Sequence, residues 1–376
     1  MTTTPLRLGI IGTGLAVEQL HWPALKDMPD RYRVTAFANR GRENAERFAA
    51  YSGASLDAWT TDYRELLARD DVDAVLISLP IPLSMPVTRD ALEAGKHVIC
   101  EKPPGASEAE GRLLIEVAKA HPRQVALIAE NYFYRDDIRF ARSLLDQGTI
   151  GRVHLVAWRK VSQLIPREGT FSSTPWRHHA EYEGGAHLDG GVHDTAQIRM
   201  LCGDVARVHG ELQDANSTHG GPSDLTMSMR FVSGAAGSYT AAYPELAMPK
   251  EPNDMRLYGT EGVMSIGGEG IRIFRGDGSV ETFRVKQRDG GYSNEFLNFH
   301  DAIVEGAPVI GTVTQSVRNM ELILRGLKSA RRGQVIKMDP TPDPLVVEAV
   351  PLWRPLGNDE GDLGVTVTRE VTSAQA

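Results

Sequence analysis

The chain has 376 residues and a formal net charge of −8, long enough for two domains with separate cores. No basic run offsets the acidic balance, which argues against nucleic acid or an anionic membrane as the main partner. Met1-Thr2-Thr3-Thr4-Pro5 lacks the features of a secretory signal, and no later stretch is apolar for long enough to span a bilayer. The two isolated cysteines, Cys100 and Cys202, suggest a cytoplasmic setting without a disulfide framework.

Leu6 to Ile11 reads as a strand, followed by Gly12-Thr13-Gly14-Leu15-Ala16-Val17 and a helical pattern to about Met28. Gly12 permits a tight turn, and Gly14 allows a pyrophosphate to approach a helix N-terminus. Val17 stands where the third small residue of that fingerprint belongs. A second strand, Val34 to Ala38, ends at Asn39-Arg40. An acidic residue here would favour NAD, whereas an arginine can hold a 2′-phosphate, so NADP is favoured and NAD remains possible. Asp62 to Arg69 is expected to be helical, Val72 to Leu79 a strand and Ser84 to Ala94 a helix. A further strand ends in Val98-Ile99-Cys100-Glu101-Lys102-Pro103-Pro104, where Pro103 must stop it. Lys102 then sits at the end of a buried parallel strand, where open α/β sheets bind ligands. A helix from Ser107 to Ala120, opened by a Ser107/Glu110 capping box, a strand Val125 to Ala129 and a helix Arg135 to Asp146 complete the βα rhythm.

Past Gly148-Thr149-Ile150-Gly151 the period changes. Val153–Val161, Val205–Leu212, Leu225–Phe231, Gly237–Ala242, Met255–Tyr258, Val263–Ile266, Ile271–Phe274 and Val280–Val285 read as strands divided by turns. Helical spacing returns at Asn294–Glu305 and Thr314–Arg331, in helices expected to pack back on the first domain. The expected fold is an α/β Rossmann nucleotide-binding domain (1–150) followed by an α+β domain (151–338) with a large, mostly antiparallel open sheet. The tail 339–376, rich in Pro, Gly, Asp and Thr, is expected to wrap the surface or fray.

Asp189 and His193, spaced i and i+4 in Gly184-Gly185-Ala186-His187-Leu188-Asp189-Gly190-Gly191-Val192-His193, share one face if the segment is helical. Imidazole trades a proton near neutrality, and a carboxylate can fix its tautomer. A structural pair at a helix start and a metal set of His187, Asp189 and His193 are the competing readings; no metal is expected. Trp176 and Arg177 suit stacking and forked hydrogen bonds to a sugar. Asn131, Tyr132 and Tyr134 could line the same cleft or simply pack between domains.

Taken in order, Gly12-Thr13-Gly14, Glu101-Lys102-Pro103, Glu130-Asn131-Tyr132, Trp176-Arg177 and Gly184-Gly185 through His193 resemble the glucose–fructose oxidoreductase / inositol dehydrogenase / MocA family over about residues 6 to 338. The resemblance implies hydride transfer between a nicotinamide and a sugar, glycoside or cyclic polyol, and a homodimer or homotetramer built on the C-terminal sheet. It makes Lys102, Asp189 and His193 a catalytic triad. His193 would act as base, Asp189 would bind a substrate hydroxyl or orient the imidazole, and Lys102 would bind the reacting oxygen; alternatively, Lys102 carries the proton. Gly12, Thr13, Gly14, Leu15, Asn39, Arg40, Leu79, Pro80, Glu101, Lys102 and Asn131 are the expected cofactor contacts. Lys102, Tyr132, Trp176, Arg177, Asp189 and His193 are the expected substrate contacts. Ile81-Pro82-Leu83, Ala196 and His187 depart from the family's usual residues. Nicotinamide-dependent glycoside cleavage and a non-catalytic dinucleotide-binding regulator are the alternatives within the resemblance.

Overall fold

Six short strands form a wholly parallel sheet in the order β3-β2-β1-β4-β5-β6 in the computed structural model, which describes residues 4–216, 218, 220–245, 253–339, 345–346 and 365–371. They are β1 (Leu6–Ile11), β2 (Tyr32–Ala38), β3 (Trp59–Thr60), β4 (Ala74–Ile77), β5 (His97–Glu101) and β6 (Ala126–Ala129). All four residues of β4 are buried, as a central strand covered on both faces requires. Strand order reverses between β1 and β4, which opens a crevice at their C-terminal ends. Gly12 enters that crevice with φ +88°, and a Cβ there would lie 2.2 Å from the Ser78 carbonyl oxygen. Only glycine fits.

Several expected elements change their bounds. The helix after Gly14 becomes a π-helical turn, Val17–His21, and a short helix, Trp22–Leu25; the Trp22 N–H donates to the Val17 carbonyl. The helix expected from Ser84 begins at Ile81, since Pro82 costs no hydrogen bond in a first turn. Strand β4 is shorter than expected because the Asp73 carboxylate accepts from the backbone and guanidinium of Arg7 beyond its start. Helix Arg42–Ser52 follows β2.

Ten strands build the second sheet: β7 (Val153–Val161), β8 (Val205–Gln213), β9 (Asp224–Phe231), β10 (Ala236–Ala242), β11 (Met255–Gly259), β12 (Val263–Gly267), β13 (Gly270–Phe274), β14 (Ser279–Val285), β15 (Ile336–Lys337) and β16 (Val365–Val371). Their order is β15-β8-β9-β10-β7-β11-β12-β13-β14-β16, and only β7 and β10 run parallel. Burial alternates along β9, so one face packs on helices and the other lies open. Helix Val313–Arg332 crosses the covered face so closely that a Cβ on Gly210 would lie 2.2 Å from the Gly326 carbonyl oxygen. The same helix packs on helix Glu108–Ala120 of the first half.

The tail corrects one expectation. Val365–Val371 neither wraps nor frays but pairs antiparallel with β14 as an edge strand, since β14 offers unpaired backbone groups. The rest of the tail beyond Asp339, apart from residues 345–346, lies outside the described residues. Among the described residues no helix is long and apolar enough to cross a membrane.

Candidate active site

The ends of β1, β2, β4 and β5 open into a cleft of about 920 Å³ that reaches the start of helix Gly191–Cys202. Gly12, Gly14, Leu15, Asn39, Arg40, Leu79, Pro80, Glu101, Lys102, Asn131, Trp176, Arg177, Asp189 and His193 all line it. Two expected contacts stand behind the wall. Thr13 is buried, and its hydroxyl accepts from the Asn39 amide at 3.1 Å. Tyr132 stacks on the His193 ring at 4.7 Å between centroids, with the Arg135 guanidinium 4.9 Å from the same tyrosine ring.

Asp189 ends the short helix Ala186–Asp189, and Gly190 separates it from the next helix, which carries His193. The two side chains take different partners. Lys102 Nζ donates to the Asp189 carbonyl at 2.6 Å and to its Oδ1 at 3.1 Å. Arg177 Nε donates to Asp189 Oδ2 at 2.5 Å. Burial opposes the charge on Asp189, but the two cations outweigh it and hold its carboxyl well below the usual range. His193 Nδ1 instead meets Glu130 Oε1 at 2.6 Å. A carboxylate there accepts from Nδ1–H and leaves Nε2 as the proton-accepting nitrogen. Arg177 also lies 4.1 Å from the Trp176 ring centroid, so its guanidinium already occupies the neighbourhood of that ring.

Behind Lys102 lies a second buried group. His21 Nε2 meets Glu101 Oε1 at 2.6 Å, and its Nδ1 is 3.7 Å from Glu295 Oε1. Burial opposes ionisation of Glu101, yet His21, Lys102 and His193 hold its carboxyl below the ordinary value. Burial, then Glu101, Glu130 and Asp289, raise Glu295 well above its own. Glu295 therefore favours its protonated form.

His187 turns away from this centre. It is fully buried, its ring 5.1 Å from Tyr243, and burial pushes its pKa down to about 4. Two residues before Asp189 on a helical turn, it points to the other side. Among the described residues no group of three or more His, Cys, Asp or Glu side chains is placed to hold a metal.

The sequence reading missed Glu130, His21 and Glu295 as site residues. Glu130 stood in a quoted motif without a role. His21 and Glu295 lie 274 positions apart, and no local pattern announces their meeting.

A parallel sheet with a glycine turn, facing two short-spaced helices of the second half that supply an Asp and a His, defines a nicotinamide-dependent oxidoreductase. Residues 6–128 match the oxidoreductase family with an NAD-binding Rossmann fold, and residues 138–265 match the GFO/IDH/MocA C-terminal domain. The chain belongs to the Gfo/Idh/MocA family. It is 32% identical over 276 residues to the dTDP-3,4-didehydro-2,6-dideoxy-alpha-D-glucose 3-reductase of Streptomyces violaceoruber, covering 70% of this chain and 73% of that one. It is 30% identical over 232 residues to the D-xylose 1-dehydrogenase [NADP(+)] of Haloarcula marismortui, 58% of this chain and 62% of the relative. The crystal structure of an oxidoreductase from Thermotoga maritima aligns with a TM-score of 0.78 at 30% identity, covering 89% of this chain and 98% of that one.

Proposed function

We propose that the protein transfers hydride between a secondary alcohol of a sugar, glycoside or cyclic polyol and a nicotinamide dinucleotide, with NADP preferred over NAD. One observation carries the reading: the glycine turn, Arg40, Lys102, Asp189 and His193 line one continuous cleft. In this reading residues 1–150 bind the dinucleotide, residues 151–338 bind substrate, and the open sheet pairs copies into a dimer or tetramer. Free Cys100 and Cys202 suit a reducing cytoplasm.

The residues fit such a cofactor. A Cβ on Gly14 would meet nothing within 4 Å, so the chain there leaves room for a phosphate. Arg40 and Arg64 both line the cleft. No Asp or Glu is within ion-pair distance of Arg40 among the described residues, which suits a 2′-phosphate. The NADP dependence of the Haloarcula marismortui relative supports the same preference. When bound, the dinucleotide supplies the hydride acceptor or donor.

Lys102 donates to the reacting oxygen and stabilises the charge that develops there. His193, its Nδ1 bound to Glu130, takes the hydroxyl proton at Nε2 on oxidation and returns it on reduction. Asp189 holds Lys102 and Arg177 in place and has acceptor capacity left for a substrate hydroxyl.

Absorbance at 340 nm, with a panel of sugars, glycosides and inositols against NADP and NAD, tests the reading. Reduction of NADP with one polyol class is the expected result. Silence across the panel with dinucleotide bound would refute it; glycoside cleavage without net cofactor turnover would point to the transient-oxidation alternative, and its absence to a regulator.

A further inference from the structure

We propose that Glu101 is the counter-charge of the oxidised nicotinamide ring, and that buried His21 is the positioning residue that keeps this negative charge on the cleft side. The inference rests on the dehydrogenase reading above and deepens it. It starts from an unusual local backbone. The π-helical turn Val17–His21 widens the helix after Gly14 by one residue and delivers His21, wholly buried, beneath the end of β5. The ring is edge-on to Tyr292 and Phe296, with centroids 5.9 and 5.7 Å away, so its plane is fixed.

That orientation sets the protons. Glu101 Oε1, at 2.6 Å, takes the Nε2–H of His21, while Nδ1 faces Glu295 at 3.7 Å, beyond hydrogen-bond reach. The oxygens of Glu295 have no hydrogen-bond partner, and burial with the nearby carboxylates favours its protonated form. The group's negative charge is that of the carboxylate that accepts from His21. It sits on Glu101, the one member of the three that lines the cleft.

The other charged groups near Glu101 have carboxylate partners of their own. Lys102 is adjacent, but its ammonium is bound to Asp189. Arg177, from the segment before, is bound to the same carboxylate. His193, from helix Gly191–Cys202, is held by Glu130, itself a carboxylate. Hydride transfer requires the nicotinamide ring to lie against the carbon whose oxygen Lys102 and His193 hold, and Glu101 is the residue next to Lys102. The oxidised ring carries one more positive charge than the reduced ring. An anion fixed beside it in a mostly buried wall favours the oxidised form, and a neutral residue there favours neither.

The test is a set of four dissociation constants, measured by titration without substrate: NADP+ and NADPH, each with wild type and with Glu101→Gln. Removing the charge should weaken NADP+ relative to NADPH by about tenfold or more, since a unit charge about 4 Å away is worth several-fold in bulk water and about 10³-fold at an effective dielectric of 20. His21→Phe, which fills the aromatic site but donates nothing, should move the ratio the same way, and more as pH falls, because losing the His21 hydrogen bond raises the Glu101 pKa. His21→Gln, which keeps a donor, should restore much of it. A ratio unchanged within twofold in Glu101→Gln overturns the inference while the dehydrogenase reading stands. If wild type binds neither form, that reading falls and the inference with it. Glu101→Gln is isosteric and decides the question even if His21→Phe does not fold.

Discussion

Glu295→Gln replaces a buried neutral acid by its uncharged isostere, and its effect should grow with pH. In the folded chain the carboxyl is fully buried, unpaired and surrounded by Glu101, Glu130 and Asp289, so its pKa is raised. In the unfolded chain it ionises near the ordinary glutamate value, about 4.3. The sign follows from linkage. Below the unfolded pKa both states hold the proton and nothing is lost. As pH rises towards the folded pKa, the unfolded state is increasingly favoured, by about 1.4 kcal/mol per pH unit. Wild type carries that penalty wherever the folded carboxyl keeps its proton while the unfolded one has lost it, and Glu295→Gln removes it. Thermal melts of both proteins from pH 5 to 8 should diverge, the variant gaining steadily on wild type relative to its offset at pH 5. The extra donor of the amide shifts every point alike, so the slope carries the prediction. Parallel curves across that range would show that Glu295 is ionised in the fold, and the reasoning about Glu101 would lose its neutral neighbour.

Lys102→Ala and His193→Ala should each lower turnover by at least about 10²-fold while dinucleotide affinity stays largely intact; full activity in either purified variant sinks the assignment. Arg40→Asp should move the NADP/NAD ratio of kcat/KM towards NAD, and an unchanged ratio would show that Arg40 does not touch the 2′-phosphate. His187→Leu should resist acid. The buried imidazole is held down at about 4, so as pH falls through 6.5 the unfolded chain takes up a proton that the folded one refuses. Wild type therefore loses roughly 2 kcal/mol by pH 5 that the variant keeps, and urea midpoints at pH 7.5 and 5 would show it; an equal loss in both removes His187 as the cause.

The parallel sheet was legible because its strands carry their own signal. Ala74-Val75-Leu76-Ile77 is apolar throughout, and Gly12 and Pro103 mark where strands must stop. The alternation in β9 likewise announced a sheet with one open face. Residues brought together by chain order in a known motif, Lys102, Asp189 and His193, could be nominated in the same way. Their pairing could not. Helical spacing put Asp189 and His193 on one face and suggested that they serve each other, but carboxylates and cations from distant segments compete for both. The edge strand Val365–Val371 was hidden for a related reason: its pairing depends on the free edge of β14, some eighty residues earlier.

That competition gives the site its mechanical character. Lys102 has its backbone at the end of β5, in the parallel sheet, and its ammonium is bound to Asp189 of the other half. His193 is the mirror case: its backbone begins a helix of the second half, and its imidazole is bound to Glu130, just past β6. Each of these two side chains is thus tied across the cleft by a charged partner from the opposite half. A shift of one half against the other strains both ties together, so the proposed base and the proposed oxygen-binding ammonium are aligned or misaligned as one unit. Thr312, which opens the long helix Val313–Arg332, meets Leu127 of β6 in an isolated bridge three residues before Glu130, which fixes the same register from behind. Asp189, held by two cations, is in this arrangement a clamp on the substrate side, and the orientation of the imidazole falls to Glu130.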